Sequence, residues 1–99
     1  MDKAARDIIK SAGYGENFTH SLGHSLGLEI HEEPHIPKYE DEGEKKEKEK
    51  TKLALNMAMT VEPGIYLEGE FGVRIEDLII AKKDGCLNLT KSPKQLIEI

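Results

Sequence analysis

The sequence has 99 residues with a formal net charge of −5, and 37% of its side chains are hydrophobic. A chain of this length buries a single modest core, which excludes a second domain, so we expect residues 1–99 to form one unit. The 19 acidic residues outnumber the 14 lysines and arginines. This balance argues against nucleic acid or an anionic membrane as the main partner, because both require a basic face.

Cysteine content and apolar runs bear on where such a chain resides. The one cysteine, Cys86, cannot form an internal disulfide, which favours a reducing compartment. The apolar runs fall far short of the ~20 residues that a membrane-spanning helix needs, and the N-terminus lacks the apolar stretch of a signal peptide. We therefore expect a soluble, cytoplasmic protein.

The first half of the chain predicts a helix, a strand and a charged loop. Apolar residues recur at helical spacing from Asp2 to Ala12, Asp2 stands where a helix cap is preferred, and Gly13 ends the helix. A Gly-rich and His-rich stretch follows and feeds a predicted strand around Leu26 to His31. Residues 38–52 hold 6 lysines and 6 acidic residues, which predicts a solvent-exposed loop because such a segment adds nothing to a core.

From Leu53 the apolar period changes to two, which indicates strands. One predicted strand runs through Met57 to Tyr66 with Glu62 opposite its apolar face, and a second runs from Val73 to Ala81. Asp84-Gly85 predicts a hairpin turn that leads into a return strand, and residues 92–99 favour a short helical turn before a final edge segment.

Two groups of polar residues stand out as candidates for chemistry. All four histidines, His20, His24, His31 and His35, fall within 16 residues, and Glu62 and Glu76 lie on adjacent predicted strands in otherwise apolar stretches. A carboxylate in such a strand must be paired or bound to a cation, and imidazoles with carboxylates are metal ligands. The alternative from spacing alone is that Glu62 is exposed and Glu76 pairs with Arg74.

Three blocks of sequence match a known pattern: HSLGHSLGLEIHE at 20–32, VEPGIY at 61–66 and GVRIED at 72–77. In this order they resemble the histidine motif and the two glutamate motifs of the Xaa-Pro peptidases, the metallopeptidase family of prolidase and aminopeptidase P. The resemblance extends over the whole chain. It implies an α+β class, with half of a pita-bread fold made of a curved antiparallel sheet and a flanking helix.

The same resemblance implies a reaction and a set of site residues. The reaction is metal-dependent hydrolysis of the peptide bond between an N-terminal residue and proline in an Xaa-Pro peptide. Two divalent ions are implied, typically Mn or Co, with Zn possible. By position, the metal ligands are His24, Glu62 and Glu76, while Arg74 orients a carboxylate. His31 contacts substrate or the tetrahedral intermediate, Glu62 carries a proton, and His20 is a weaker candidate for lining the site.

The family also uses two aspartate ligands upstream of the first helix, and no residue of this chain matches them. We therefore expect the C-terminal part of a catalytic domain that is incomplete and inactive alone, its partner being the missing N-terminal half or a second copy of the chain. One alternative is a non-catalytic module that binds a partner or self-associates as a homodimer through an open sheet edge. Another is a small protein that binds a single ion.

Four further side chains are predicted to have no role in the chemistry. We expect His35 to face solvent after Pro34, because the family gives it no role. Cys86 follows the predicted turn and is expected to be a small buried residue. Tyr66 and Phe71 are expected to be wall or core residues.

Overall fold

The fold begins with a helix that packs across a sheet, and a computed structural model describes it for residues 1–39 and 52–99. Helix α1 spans Asp2–Ser11, as predicted, and Gly13 ends it with a φ of +90°. The predicted cap is wrong: Met1 is the N-cap, and no side chain caps the helix. Asp2 is instead buried, because its carboxylate accepts hydrogen bonds from Leu22 and Tyr39 backbone N–H groups.

A five-stranded antiparallel sheet forms the body of the described chain, in the order β2-β1-β3-β6-β7. These strands are β1 (Gly23–Ser25), β2 (Glu32–Ile36), β3 (Ala58–Val61), β6 (Asp77–Lys82) and β7 (Gly85–Asn88). A second sheet is the hairpin of β4 (Gly64–Leu67) and β5 (Phe71–Arg74), and a short 3-10 turn, Gly15–Asn17, follows α1. The predicted α+β class with an antiparallel sheet is confirmed.

The predicted strand at Leu26 to His31 is wrong, because this stretch is the connection between β1 and β2. The connection turns back at Gly27, whose N–H donates to the Glu29 carbonyl, and the Glu32 carboxylate accepts the Glu29 N–H. The apolar residues that indicated a strand, Leu28 and Ile30, are exposed at the turn. As a result, β1 and β2 pair with His24 opposite His35.

The predicted continuous strand from Val73 to Ala81 is divided between the two sheets. Its first part belongs to β5 and pairs with β4, and its second part is β6, which pairs with β3. The segment that pairs with it is interrupted at the same level, between β3 and β4, at Pro63, which has no N–H to donate to a strand ladder. Glu62 and Glu76 both lie at this break, one directly after β3 and one directly before β6.

The core lies between α1 and the large sheet. Its buried members are Phe18, Leu22, Ile36, Met59 and Ile79, and Met59 is fully buried. Ala5 and Ile9 of α1 pack against this cluster. Both are apolar positions of the predicted helix, so α1 covers the segment that leads into the histidines.

The end of the chain confirms one prediction and corrects three. A hairpin joins β6 to β7 as predicted, but its turn residues are Lys83 and Asp84 rather than Asp84 and Gly85, and Gly85 begins β7 with a φ of +144°. Cys86 is exposed, because β7 is an edge strand of the sheet. Residues 92–99 form no helical turn; Lys94 donates instead to the Asp77 carboxylate at 2.6 Å.

The predicted charged loop lies largely outside the described residues, and membrane-spanning helices can be sought only within them. Residues 40–51, which make up nearly all of the predicted charged loop at 38–52, lie outside them. Across residues 1–39 and 52–99, no helix is long and apolar enough to cross a membrane.

Candidate active site

His24 lies at the centre of the candidate site, in the middle of β1. Its Nδ1 lies 2.9 Å from the Ser25 carbonyl oxygen, a partner that can only accept, so Nδ1 carries the proton of the neutral ring. The Nε2 atom is 3.2 Å from Oε1 of Glu62. In the neutral ring Nε2 carries an unshared electron pair, so it and the Glu62 carboxylate oxygen are two electron-pair donors that face each other. A proton or a metal cation between them stabilises this arrangement.

Thr60 holds the two members of this pair together. The Thr60 hydroxyl donates to Glu62 Oε1 at 2.7 Å, and the Thr60 hydroxyl oxygen accepts the His24 backbone N–H at 3.0 Å. Thr60 is buried on β3, next to β1. Thr60 was not among the residues predicted for the site, yet residues two apart in a strand share a face, so its spacing from Glu62 is a signal that could have identified it.

Arg74 lies between the two glutamates at the break in the strands. Its Nε is 3.8 Å from Glu62 Oε2 and 3.9 Å from Glu76 Oε2. Glu62 is 14% exposed and Glu76 is 46% exposed. The alternative in which Glu62 faces solvent therefore does not hold, whereas the pairing of Glu76 with Arg74 does. The predicted contact of Arg74 with a site carboxylate is present on both sides.

A cleft of about 250 Å³ opens beside this pair. Its lining residues are His20, Ser21, Gly23, His24, His31, His35, Glu62 and Arg74. The His31 ring lies 4.4 Å from the His24 ring, centroid to centroid, and the His35 ring lies 6.3 Å from it. His35 is exposed, as predicted, yet it also lines the cleft because its strand pairs with β1.

His20 lines the same cleft with both of its ring nitrogens engaged. Nδ1 lies 2.8 Å from the Ser21 carbonyl oxygen, and Nε2 lies 2.7 Å from the Tyr66 hydroxyl. The carbonyl fixes Nδ1 as the donor, so Nε2 accepts the Tyr66 proton. Tyr66, expected only as a wall or core residue, thus joins β4 to the histidine segment, and Asn17 donates to the Tyr66 carbonyl oxygen.

The donor chemistry suits a divalent cation, but the described residues do not complete a site for one. Within residues 1–39 and 52–99, no three His, Cys, Asp or Glu side chains converge closely enough to hold a metal ion. The structure brings His24 and Glu62 together, while Glu76 contacts Arg74. His24 has the features of a metal ligand, because its second nitrogen is fixed by a carbonyl. The three-ligand set remains a prediction.

Comparison with known families gives one match over most of the chain. The sequence profile of metallopeptidase family M24 matches residues 1–83. That range contains all three motif blocks and every residue predicted for the site.

Curated relatives match along almost the entire chain. The Xaa-Pro dipeptidase of Pyrococcus horikoshii is 46% identical over 97 residues, which is 98% of this chain and 25% of that protein. The probable dipeptidase PepE of Mycobacterium tuberculosis is 40% identical over 99 residues, which is 24% of its length. The chain therefore spans about a quarter of the length of the relatives it matches.

Solved structures agree with the sequence matches. The X-Pro aminopeptidase of Thermotoga maritima superposes with a TM-score of 0.79 at 48% identity, covering 95% of this chain and 24% of that one. The prolidase of Pyrococcus horikoshii gives a TM-score of 0.80 at 47% identity, covering 97% and 25%. One is titled an aminopeptidase and the other a prolidase, so similarity alone does not choose between the two activities.

Proposed function

The chain belongs to metallopeptidase family M24, and from that membership we propose that it supplies part of a metal-dependent active site that cleaves Xaa-Pro peptides. Its fold corresponds to the C-terminal quarter of the pita-bread prolidases and aminopeptidases P, as the motifs implied. The proposed substrate is a peptide whose N-terminal residue precedes proline. The proposed partner is the remainder of such a catalytic domain.

The facing of His24 Nε2 and Glu62 Oε1 is the observation that carries this proposal. At 3.2 Å, with Nδ1 already donating to a carbonyl, the two facing atoms need a proton or a metal cation between them. We assign His24, Glu62 and Glu76 as the residues that hold two divalent ions, Mn or Co, together with carboxylates from outside the chain. Such ions, when bound, polarise the scissile carbonyl and acidify a water molecule.

The chain's own side chains divide the remaining chemistry. Glu62 accepts a proton from the attacking water and passes it to the imino nitrogen of proline as that nitrogen leaves. Thr60 fixes the Glu62 carboxylate for this task by donating to Oε1. Arg74 offsets the charge of both glutamates and keeps them oriented.

The histidines around the cleft have separate proposed roles. His31 is exposed beside His24, where its ring N–H can donate to the carbonyl oxygen as negative charge develops on it. His20 is proposed to shape the wall of the site rather than to transfer protons, because both its nitrogens already have partners.

A cytoplasmic location is also proposed, on the basis of the single cysteine.

Transfer of the chain into a relative tests the proposal. The chain replaces the matching quarter of the Pyrococcus horikoshii Xaa-Pro dipeptidase, and release of proline from an Xaa-Pro dipeptide is measured with and without added Mn or Co. We expect metal-dependent cleavage by the hybrid and little cleavage by the 99-residue chain alone. A folded hybrid that binds metal but leaves the dipeptide intact would contradict the proposal.

A second candidate function is self-association without catalysis. It is favoured by the edge strand β7, where Leu87 is 49% exposed, and by the exposed face of β5, where Phe71 is 67% exposed. Unpaired strand edges of this kind template pairing with another chain. Light scattering on the eluting peak of a size-exclusion column distinguishes the two: a stable dimer that persists on dilution favours the module, and a monomer removes it.

A further inference from the structure

A buried ion pair on α1, away from the proposed ligands, holds the segment that carries the histidines. Asp2 and Arg6 lie one helical turn apart, and their side chains are 3% and 13% exposed. Arg6 Nε donates to Asp2 Oδ2 at 2.9 Å, and Nη2 donates to Oδ1 at 3.2 Å. Charge-assisted, two-pronged contacts of this type fix geometry as well as adding stability.

The guanidinium of Arg6 also hydrogen-bonds to the backbone that precedes His24 in the chain. Nη1 donates to the Phe18 carbonyl oxygen at 2.8 Å, and Nη2 donates to the His20 carbonyl oxygen at 2.9 Å. The guanidinium carbon lies 4.3 Å from the centroid of the Phe18 ring, which in turn meets the His20 ring edge-on at 5.3 Å. The position of His20 is therefore set from α1 through both its own carbonyl and its neighbouring ring.

The carboxylate of Asp2 ties down two further points. Oδ1 accepts the Leu22 N–H at 2.9 Å, between His20 and His24 in the chain, and Oδ2 accepts the Tyr39 N–H at 2.9 Å, beyond β2. Both ends of the segment from 18 to 39, which contains all four histidines, are thus attached to one ion pair.

We infer that Asp2 and Arg6 are positioning residues for the proposed site, acting through the backbone around His20 and His24. They fix the two rings so that each keeps its Nδ1 proton on a backbone carbonyl, which leaves Nε2 of His24 directed at Glu62. This role rests on the proposed function, because it treats the two histidines as site residues.

We call the Asp2–Arg6 ion pair, with its hydrogen bonds to the backbone of Phe18, His20, Leu22 and Tyr39, the clamp. Two substitutions break it selectively. Asp2→Asn keeps the shape but replaces one acceptor oxygen with an NH₂ group, so either the Leu22 or the Tyr39 contact is lost. Arg6→Lys keeps the charge but cannot contact two carbonyls and a carboxylate in the same fork. The matched control is Asp7→Asn, which removes the i,i+4 partner of Lys3 on the same helix, where the Asp7 side chain is 56% exposed.

Nitrogen-15 NMR of the imidazole rings in the metal-free 99-residue chain is the readout, with amide spectra to show that each variant is folded. We expect single Nδ1–H tautomers for His20 and His24 in the wild type and in Asp7→Asn. In Asp2→Asn and Arg6→Lys we expect shifts that move toward tautomer averaging. Folded clamp variants with wild-type ring signals would reduce the pair to a stabilising role and overturn the inference.

A measurement on the unmodified chain covers the case in which the variants fail to fold. A guanidinium held on three sides rotates slowly, so the Arg6 Nη resonances should be resolved from each other. A single averaged Nη signal for Arg6 would refute the clamp. Neither experiment uses metal or substrate, so its failure is separate from a failure of the hybrid enzyme to cleave Xaa-Pro peptides.

Discussion

Glu62, directly after β3, and Glu76, directly before β6, lie at one break between two sheets, each with a carboxylate oxygen within 4.0 Å of the Arg74 guanidinium. The pairs Val61↔Asp77 and Gly64↔Arg74 flank this break. At the break the backbone leaves one ladder and enters another, so side chains can converge there without disturbing a continuous sheet. Two carboxylates at this position repel each other unless a cation offsets them, and the Arg74 guanidinium is one such cation.

The hydroxyl of Thr60 should matter more than its size. Thr60→Val keeps the shape but leaves the His24 N–H and Glu62 Oε1 without their shared partner. We expect the free energy of unfolding to fall by about 1–3 kcal/mol, the cost of leaving buried polar groups unpaired. Urea denaturation measures it. Thr60→Ser, which retains the hydroxyl, should recover most of the loss, and equal losses in both variants would contradict this role.

Glycine at position 23 is required by close packing. A Cβ there would lie 2.1 Å from the Thr60 carbonyl oxygen, a backbone atom that cannot move without separating β1 from β3. We expect Gly23→Ala to cost at least ~3 kcal/mol in thermal or urea unfolding, at the upper end for overpacking. Gly69→Ala is the comparison, because position 69 has a φ of +77° but open space. There a cost of only ~1–2 kcal/mol is expected from backbone strain, and the reverse order would show that the packing argument is wrong.

The pKa of Asp77 is lowered from its ordinary value of 3.8, first by the hydrogen bond from Lys94 and further by Asn88. A carboxyl with a lower pKa in the folded state adds stability above 3.8, and this contribution is lost as pH falls through the folded pKa. Lys94→Met should therefore be less stable than wild type near neutral pH, with the difference closing in acid below 3.8.

Urea midpoints for wild type and Lys94→Met, taken at both pH values, test this. Lys83→Met, a substitution in the exposed turn before β7, is the control for loss of a lysine. A gap between wild type and Lys94→Met that stays constant from neutral to acid pH would contradict the assignment to Asp77.

The isolated chain should bind divalent ions weakly. Among the described residues no three His, Cys, Asp or Glu side chains converge, and hard cations need more oxygen ligands than the His24–Glu62 pair provides. Calorimetric titration with Mn, Co and Zn should give weak binding that His24→Ala removes, while Glu70→Gln, in the exposed turn between β4 and β5, leaves it unchanged. Tight binding of a single ion by the isolated chain would favour the alternative of a complete one-ion site.

Local elements of the fold could be predicted because their signals lie in short stretches of sequence. The helix, the hairpin after β6 (predicted with its turn one residue later, at Asp84-Gly85) and the adjacency of Glu62 and Glu76 all follow from local periodicity and turn chemistry. The meeting of His24 with Glu62 joins two strands that are far apart in sequence, and only the family resemblance indicated it.

The errors have physical causes. The strand expected at Leu26 to His31 is a turn held by local hydrogen bonds, from the Gly27 N–H to the Glu29 carbonyl and from the Glu29 N–H to the Glu32 carboxylate, which alternation does not reveal. Asp2 is a residue type that commonly caps helices. Its carboxylate instead accepts the backbone N–H groups of Leu22 and Tyr39, which are distant in sequence. Cys86 is exposed because its strand has a neighbour on one side only.

In the proposed function, His24, Glu62 and Glu76 serve metal-dependent Xaa-Pro hydrolysis. The most direct test measures kcat for proline release in the hybrid dipeptidase that carries this chain, at saturating Mn. His24→Ala and Glu76→Gln should each lower kcat at least ~100-fold, the scale expected when metal-centre geometry is lost, whereas Glu70→Gln should match the unmodified hybrid. Folded His24→Ala and Glu76→Gln hybrids that retain the unmodified kcat and Mn dependence would contradict the claim.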